Sequence, residues 1–494
     1  MTSTDPVPRT AGWQRLDSRM LLVHPVRDFV RFLPALFVLL VFGRSSDNGG
    51  WWGLVAVAVP VVLGLSRYLT TSYRITAGRI EVRHGLLNKR VLSAPLDRVR
   101  TVDLTASPIH RALGLVTVRI GTGQSGAKGE ERLALDGLAA PAASALRERL
   151  LHLSPASDAD RAVEAPRPRE VLTLDLAWVR FAPFTTAGIA IAGAALGVVA
   201  QSIHTLEIAP SVDLDRVARL GVALLVVGGL VVLLVTVCVL AVVGYLLTNF
   251  GFRLSHTGAD ASWHLRRGLF TTRETTLDDA RVSGVSIGEP LGLRLAGGAR
   301  LTAIVTGLDK RQQGSSVLVP PAPRREVDRV AEEVLGVAGP VRTPLVDHGR
   351  RAHRRRWTRA LLPAAVVAAA ALVAAYTVSW WFVLVAALAL GVGAGLARDR
   401  MLGLGHALVD GYLVARSGSL DRRRETLHTP SVIGWNLRAT WFQRRVGLTD
   451  LVATTAGGRQ RVRVLDLAEP SATALATTAT PALLEPFLER SLEH

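Results

Sequence analysis

Long stretches without charged side chains constrain the fold of this chain more than any other feature. Asp, Glu, Lys and Arg are absent from residues 48–66, 181–205, 220–252 and 360–397. A helix needs about 20 residues to cross a hydrocarbon core about 30 Å thick. Residues 181–205 and 220–252 therefore each predict one membrane-spanning helix, and residues 360–397 are long enough for two.

The apolar stretches are expected to form helical hairpins. Residues 376–381, in the middle of the fourth stretch, combine polar turn formers with two tryptophans, as expected where a hairpin turns at a membrane surface. Residues 48–66 are expected to pair with a shorter helix at about residues 29–43, for which an interfacial or re-entrant helix is the alternative. The sequence thus predicts six spans in three hairpins.

Arginines beside the hairpins predict their orientation. Residues 348–359 hold six arginines directly before the last hairpin, whereas residues 45–50 have no positive charge and residues 204–216 carry three acidic side chains. Because positive residues tend to stay inside, both termini and all large segments are expected in the cytoplasm, at the plasma membrane. We assign the formal net charge of +18 to the membrane surface rather than to a nucleic-acid partner.

Three stretches with the same strand and turn signals follow the hairpins. Residues 73–87 and 407–420 superpose without a gap, which places Gly78 on Gly411 at a turn that favours positive φ. Residues 252–269 repeat the pattern with a few inserted residues. Further along, each copy ends in a short apolar strand, a proline and an amphipathic stretch. The pattern predicts three copies of about six or seven strands closed by one helix.

Two motifs of the first copy resemble a known family. Residues 75–87 contain the pattern Ile-x-x-x-x-Ile-x-x-x-x-Gly-Leu-Leu, and residues 111–115 read Arg-Ala-Leu-Gly-Leu. Because these motifs recur behind membrane hairpins, the chain resembles the bacterial PH-like membrane family of the YdbS/YdbT type, in its three-module, YdbT-like arrangement. Gly297-Gly298 is a departure in the second copy, since a regular strand is expected there.

The resemblance implies a PH-like fold, in which a bent antiparallel β-sandwich or barrel is capped by a C-terminal helix. It also implies an integral membrane protein without a catalytic role, acting in envelope stress or membrane homeostasis, often beside a shorter single-module relative. The expected fold class is therefore membrane α-helical hairpins plus three PH-like domains. The expected division is 1–70, N-terminal tail and first hairpin; 71–155, PH-like domain 1; 156–170, linker; 171–250, second hairpin; 251–340, PH-like domain 2; 341–400, basic segment and third hairpin; and 401–494, PH-like domain 3.

Motifs for catalysis or metal binding are weak in this sequence. Residues 121–126 spell a dinucleotide-binding pattern, but they lead into another predicted strand rather than a helix, so we interpret them as a hairpin loop. The single cysteine, Cys238, lies in an apolar stretch, and the histidines are scattered. We therefore expect no enzymatic activity, no cofactor and neither a catalytic nor a metal site.

Arginines near the membrane are the candidate binding residues. Each arginine close to an anionic membrane surface contributes about 1 kcal/mol of attraction. The candidates for contact with lipid headgroups or a partner are Arg67, Arg74, Arg98, Arg111, Arg253, Arg266, Arg267, Arg350, Arg351, Arg354, Arg355, Arg356 and Arg359.

Two functional hypotheses follow from these features. The first is a non-enzymatic scaffold whose cytoplasmic modules bind acidic lipids of the inner face, another PH-like membrane protein or a second copy of the chain, because exposed strand edges favour strand addition. The alternative is a transporter or lipid-handling protein with a pathway through the six helices, lined by residues such as Trp178 and Ser202. The long apolar stretches lack ionisable residues, which favours the scaffold.

Overall fold

The structure is a computed structural model in which β-rich segments alternate with apolar helices. We refer to residues 72–152 as the first segment, 253–335 as the middle segment and 405–479 as the last segment. The residues that the structure describes are 72–76, 79–84, 90–95, 101–121, 133–152, 168–185, 216–258, 261–306 and 316–484, together with parts of 13–20 and isolated positions between 188 and 197.

The first segment is a sandwich of two antiparallel sheets closed by a helix. Ile80 and Val82 from one sheet pack against Leu104 and Val118 from the other, and Leu146 of the closing helix completes the core. The elements are β1 (Gln14–Arg15), β2 (Ser72–Thr76), β3 (Arg79–His84), β4 (Arg90–Pro95), β5 (Thr101–Ala106), α1 (Pro108–Ala112), β6 (Leu115–Gly121), β7 (Leu133–Ala139) and α2 (Ala140–His152).

The middle segment has the same order of strands, short helix and closing helix. Its closing helix buries Val327, Val330, Ala331 and Leu335, a spacing that places them on one face, and Gly336 ends it at φ +70°. The elements are β8 (Arg169–Thr173), a 3₁₀ helix (Leu176–Phe184), α3 (Arg216–Asn249), β9 (Arg253–Thr257), β10 (Ser262–Arg267), β11 (Thr272–Asp278), β12 (Val282–Pro290), α4 (Leu291–Leu295), β13 (Gly298–Val305), β14 (Val317–Pro323), α5 (Arg324–Leu335) and α6 (Gly339–Arg342).

The last segment is again a sandwich closed by a helix, preceded by two long apolar helices. Leu413 and Leu427 pack against Leu451 and Val464 of the second sheet, and Ala472 of the closing helix joins this core. The elements are α7 (Gly349–Thr377), α8 (Phe382–Leu402), β15 (Gly405–Val409), β16 (Tyr412–Ser417), β17 (Asp421–His428), β18 (Gly434–Arg438), α9 (Trp441–Arg445), β19 (Leu448–Thr454), β20 (Arg461–Ala468), α10 (Glu469–Ala479) and α11 (Pro481–Leu484).

Three helices in the described part of the chain are long and apolar enough to cross a membrane. They are residues Val231–Asn249 of α3, and the whole of α7 and α8. The break between α7 and α8 falls at residues 378–381, which confirms the turn that the sequence predicts. Small residues line the contact of these two helices, since a Cβ on Gly393 would lie 2.5 Å from the Ala364 methyl carbon.

The other predicted spans are described in part or not at all. The helices expected at residues 29–43 and 48–66 lie outside the described residues. The span predicted from residue 181 cannot begin there, because residues Leu176–Phe184 form a 3₁₀ helix in which Phe181 is buried in protein. Most of the chain from 186 to 215 lies outside the described residues.

Glycines end turns and short helices in the same places of each segment. Gly411 has φ +75°, as predicted for its turn, whereas Gly78 lies outside the described residues. Gly297 ends α4 at φ +75°, as Gly114 ends α1 at +69° and Gly447 ends α9 at +66°. The glycine pair of the second copy is therefore no departure from the pattern, because a regular strand, β13, begins directly after Gly297.

The sheets do not follow the boundaries of the segments. Their strand orders are β1-β2-β3-β4, then β7-β6-β5-β11-β10-β9-β8, then β14-β13-β12-β17-β16-β15, and finally β18-β19-β20. Accordingly, two compact units divide the chain so that residues 250–279 belong to the first and residues 280–306 to the second. The middle segment thus gives its early strands to one unit and its later strands to the other.

Candidate interaction surfaces

Two strand pairs join neighbouring segments edge to edge. β5 of the first segment runs antiparallel to β11 of the middle segment, with Val102 opposite Thr276. β12 of the middle segment runs antiparallel to β17 of the last segment, with Val285 opposite Thr426. Main-chain hydrogen bonds along a sheet edge give such contacts affinity without requiring a particular sequence. We call these two contacts the junctions.

The two junctions have the same register. Superposing the glycines that end α1 and α4 places Val102 on Val285, and superposing the turn glycines Gly268 and Gly418 places Thr276 on Thr426. In each junction the valine lies directly opposite the threonine, so equivalent residues pair in both. Side chains alternate between faces of a strand, so a shift of one residue would exchange the buried and exposed faces. The junctions are therefore one interface used twice.

A buried carboxylate connects the first apolar helix of the hairpin to the last segment. Asp466 of β20 is fully buried and forms ion pairs with Arg355 and with Arg356 of α7, the latter at 2.6 Å. Gln443 donates to Asp466 at 2.8 Å and to Asp450 at 2.7 Å. A buried charge is tolerated only when it is paired and hydrogen-bonded. We call these residues the Asp466 network.

Local sequence explains the geometry of the Asp466 network. Thr440 and Gln443 form a capping box at the start of α9, which orients the Gln443 amide. Asp466 itself has φ +56° at a bulge opposite Asp450, a conformation that aspartate tolerates better than most residues. The only signal in the sequence is an acid in an otherwise alternating apolar strand, which does not identify its partners.

Residues before the first hairpin lie on the first segment in a comparable way. Met20 is fully buried against Leu115, and Ala352 of α7 is buried against Leu448, which occupies the same position in the last segment. Arg19 donates to the Leu113 carbonyl at 3.2 Å. Both segments therefore hold the chain just before an apolar stretch against the start of the strand that follows the short helix.

A pair of histidines lies beside the start of α7. His348 Nδ1 donates to the Leu465 carbonyl at 2.7 Å, so its Nε2 accepts from His406 Nδ1 at 2.9 Å. Burial, and secondarily the charge of His348, lowers the pKa of His406 to about 4. Burial also lowers the pKa of His348. The pair is neutral in the folded protein near pH 7, because protonation of His348 would remove its acceptor.

An arginine-rich cavity of about 310 Å³ lies where β12, β13 and β17 meet the β19–β20 hairpin. Glu425 stands among its basic residues, and burial raises the pKa of this carboxyl. Asp421 pairs with Arg423 at 2.5 Å. Basic side chains outnumber acidic ones in the lining, which favours anions. The sequence does not predict this cavity, because its four arginines come from three separate strands and a hairpin loop: Arg300, Arg423, Arg459 and Arg461.

The predicted arginines of the first and middle segments do not form one cluster. Arg74 pairs with Glu81 at 2.5 Å. Arg111 donates to the Leu269 carbonyl at 2.7 Å. Arg267 is only 8% exposed, and burial lowers its pKa. Two others form exposed ion pairs, Arg253 with Glu170 at 3.5 Å and Arg266 with Glu274 at 3.4 Å, and Arg67 and Arg98 lie outside the described residues.

The six arginines of α7 divide into two groups. Arg355 and Arg356 belong to the Asp466 network, so their charge is matched within the protein rather than directed at headgroups. The other four have exposed side chains and stay candidates for contact with acidic lipid: Arg350, Arg351, Arg354 and Arg359.

The first and last segments define a class of domain, a two-sheet antiparallel sandwich closed by a C-terminal helix, and in the last segment it directly follows a pair of apolar helices. Residues 29–154 and 361–479 match the family model of the Bacterial PH domain. These two regions are therefore similar to the Bacterial PH domain, which agrees with the PH-like prediction for the first and last segments. No curated protein and no solved structure matches the chain.

Proposed function

We propose that this chain is a non-enzymatic integral membrane scaffold of the YdbT-like type, in which three PH-like modules face the cytoplasm and bind proteins through their sheet edges. The middle segment is the third module, because its elements follow the same order as those of the two matched regions. The uncharged stretches complete three helical hairpins, with six spans in all. Such a protein would serve envelope stress responses or membrane homeostasis.

The observation that carries the proposal is the pair of junctions in one register. Strands of different segments pair along β5–β11 and along β12–β17. Modules of this kind therefore already bind one another by strand addition within the chain. Edge strands that present unpaired backbone groups recruit further strands in the same way.

The membrane would position these modules rather than supply a substrate. The exposed arginines at the start of α7 lie where the chain enters its apolar part, and anionic headgroups attract them. The Asp466 network then holds the last segment to α7, so that the module cannot rotate freely below its helix. Contact with lipid headgroups would therefore position the modules at the membrane surface.

Sidedness is the first test of the scaffold. Ser93 and Leu420 are exposed, on the first and last segments. In a Cys238→Ala background, Ser93→Cys and Leu420→Cys should both react with a membrane-impermeant thiol reagent in inside-out vesicles and stay unlabelled in intact cells. Labelling of the two positions from opposite sides would contradict the proposal.

Capture from native membranes is the second test. The full chain should recover protein partners through its open sheet edge, so Leu437→Asp on β18 should reduce recovery. Leu420→Asp is the matched control, because Leu420 is similarly exposed, at 59% against 50%, but lies in a turn. Equal recovery by both variants would contradict binding through the sheet edge.

A further inference from the structure

Among the described strands, two each have an unpaired edge, although the equivalent edges of the other segments are paired in the junctions. β4 is the last strand of its sheet in the first segment, and β18 is the first strand of its sheet in the last segment. The strands equivalent to β4 are β11 and β17, and the strands equivalent to β18 are β5 and β12. These equivalent strands pair with one another in the junctions. Neither β4 nor β18 has a neighbour on this edge among the strands that the structure describes.

Side-chain exposure marks β18 as a junction strand without its partner. The superposition that defines the register places Leu437 on Leu104 and Ile287. Leu104 is 6% and Ile287 1% exposed, whereas Leu437 is 50% exposed. An apolar side chain recurs at this position in all three segments, and it is buried in the two segments where the strand is paired on both edges.

Side-chain exposure also marks β4 as a junction strand without its partner. Superposition of the segments places Ser93 on Thr276 and Thr426, so a small hydroxyl side chain recurs at this position. Thr276 and Thr426 are buried in their junctions, at 3% and 1% exposed, whereas Ser93 is exposed. Two residues before Ser93 on the same face, Val91 is 53% exposed.

We propose that β18 of one chain pairs antiparallel with β4 of a second copy of this chain, in the register of the two existing junctions. That register places Trp435 opposite Ser93 and Leu437 opposite Val91. The inference rests on the proposed function, because it names the partner of the sheet edge through which the scaffold binds.

The two edges complement each other in this register. Leu437 and Val91 are both about half exposed and become an apolar cross-strand pair, the type of pair that stabilises antiparallel sheets. A second copy is the occupant because it carries both edges, and equivalent edges of this chain already pair in this register in the two junctions. The contact joins different surfaces of the two copies. The assembly is therefore a closed ring only when the free β18 of the last copy pairs with the free β4 of the first.

A disulfide between two differently tagged chains tests the occupant and the register together. Both chains carry Cys238→Ala, which removes the native thiol; one adds Leu437→Cys and the other Val91→Cys. After co-expression and mild oxidation in membranes, we expect a covalent heterodimer. Since neither chain carries both cysteines, a disulfide within one chain cannot produce this band.

Two controls fix the geometry. Ser93→Cys in place of Val91→Cys moves the partner to a diagonal position about 7–8 Å away, beyond the Cα separation of about 4.4–6.8 Å that a disulfide prefers, so the heterodimer yield should fall sharply. Ser286→Cys with Glu425→Cys, directly opposite in a junction, should form a disulfide inside one chain and shows that the oxidation works.

Three results would overturn the inference while the internal control forms. The first is that no heterodimer forms. The second is that a chain carrying both Leu437→Cys and Val91→Cys forms only a disulfide within itself, which would make its own β4 the occupant. The third is that Leu437→Cys forms homodimers, which would mean that β18 pairs with β18. If capture from membranes still depends on Leu437, the scaffold function stands and only its partner is wrong.

Discussion

β12 and β18 occupy the same place in their segments but have opposite surroundings. β12 lies in the middle of a six-stranded sheet with Val285 and Ile287 buried, whereas β18 is the edge of a three-stranded sheet with Leu437 half exposed. Both strands present apolar side chains at the same alternate positions. The difference shows that a strand's own sequence sets which face is apolar, and that the equivalent face is buried in the strand paired on both edges but half exposed in the edge strand.

The three-stranded sheet that leaves the edge of β18 open also binds helix α7. β18, β19 and β20 form a separate sheet, and its last strand carries Asp466, which binds two arginines of α7. The last segment thus has one side fixed to its helix and one edge open. Each of the following changes alters one side of this comparison.

The largest effect is expected from Asp466→Asn. Asparagine tolerates positive φ, so the backbone is kept while two arginines lose their buried counter-charge. Removing one partner of a buried ion pair costs about 3–5 kcal/mol. Asp421→Asn is the control, because its ion pair with Arg423 is more exposed and such pairs contribute about 0–1 kcal/mol. Denaturant unfolding of the purified chain in detergent measures both, and equal losses would contradict the role of the Asp466 network.

The next effect compares the two strands directly. Ile287→Ala removes buried methyl groups from a junction and should lower the free energy of unfolding by about 2–5 kcal/mol. Leu437→Ala removes a half-exposed side chain, so in dilute protein the loss should be about 1 kcal/mol or less. The same unfolding assay at low chain concentration makes the comparison, and similar losses would show that β18 is covered within one chain.

Acid should destabilise the side of the last segment that is bound to α7. The pKa of His406 is lowered in the folded state to about 4, from 6.5, so the unfolded state takes up a proton first as pH falls. The contribution of neutral His406 to the free energy of unfolding is complete above about pH 6.5, and it is lost progressively as the pH falls from there towards 4. Asparagine retains a donor but does not titrate, so His406→Asn should flatten the pH dependence of the unfolding midpoint. The exposed His428→Asn is the control, and a flattening of the same size there would contradict this assignment.

The smallest effect concerns the membrane surface. Arg354→Gln or Arg359→Gln should weaken retention of acidic lipid by the detergent-solubilised chain by about 1 kcal/mol each. Added salt should reduce the difference, because exposed charges are screened. Arg342→Gln serves as the control, since Arg342 is exposed but pairs with Glu332 at 2.6 Å. Lipid retention that depends on Arg342 as strongly would contradict a contact specific to α7.

Local signals made part of this fold predictable. Gly411, the turn at residues 378–381 and the order of strands and closing helix follow from turn chemistry, uncharged length and periodicity, which neighbouring residues determine. The junctions are non-local, because β12 meets β17 more than a hundred residues later, and any apolar edge offers the same backbone groups. The division at residues 251–340 therefore could not anticipate that the early and late strands of the middle segment lie in different units.

The candidate sites show the same limit. The arginine run before α7 was recognised from its position, but nothing in the run itself separates Arg355 and Arg356, which reach Asp466, from the exposed Arg354 and Arg359. That separation arises because one face of α7 lies on the last segment. The cavity around Glu425 also escaped prediction, since its residues come together only after the middle and last segments pair.

Amide hydrogen exchange of the full chain at rising concentration is the most direct test of the claim that sheet edges join these segments. Peptides covering residues 284–289 should be protected at every concentration, because β12 is paired within the chain. Peptides covering residues 434–438 and 90–94 are paired on one edge only among the described strands, so the amides of their open edges should exchange rapidly in dilute protein and become protected together as the concentration rises. Rapid exchange of these open-edge amides in residues 434–438 at all concentrations, with residues 284–289 protected, would contradict the account.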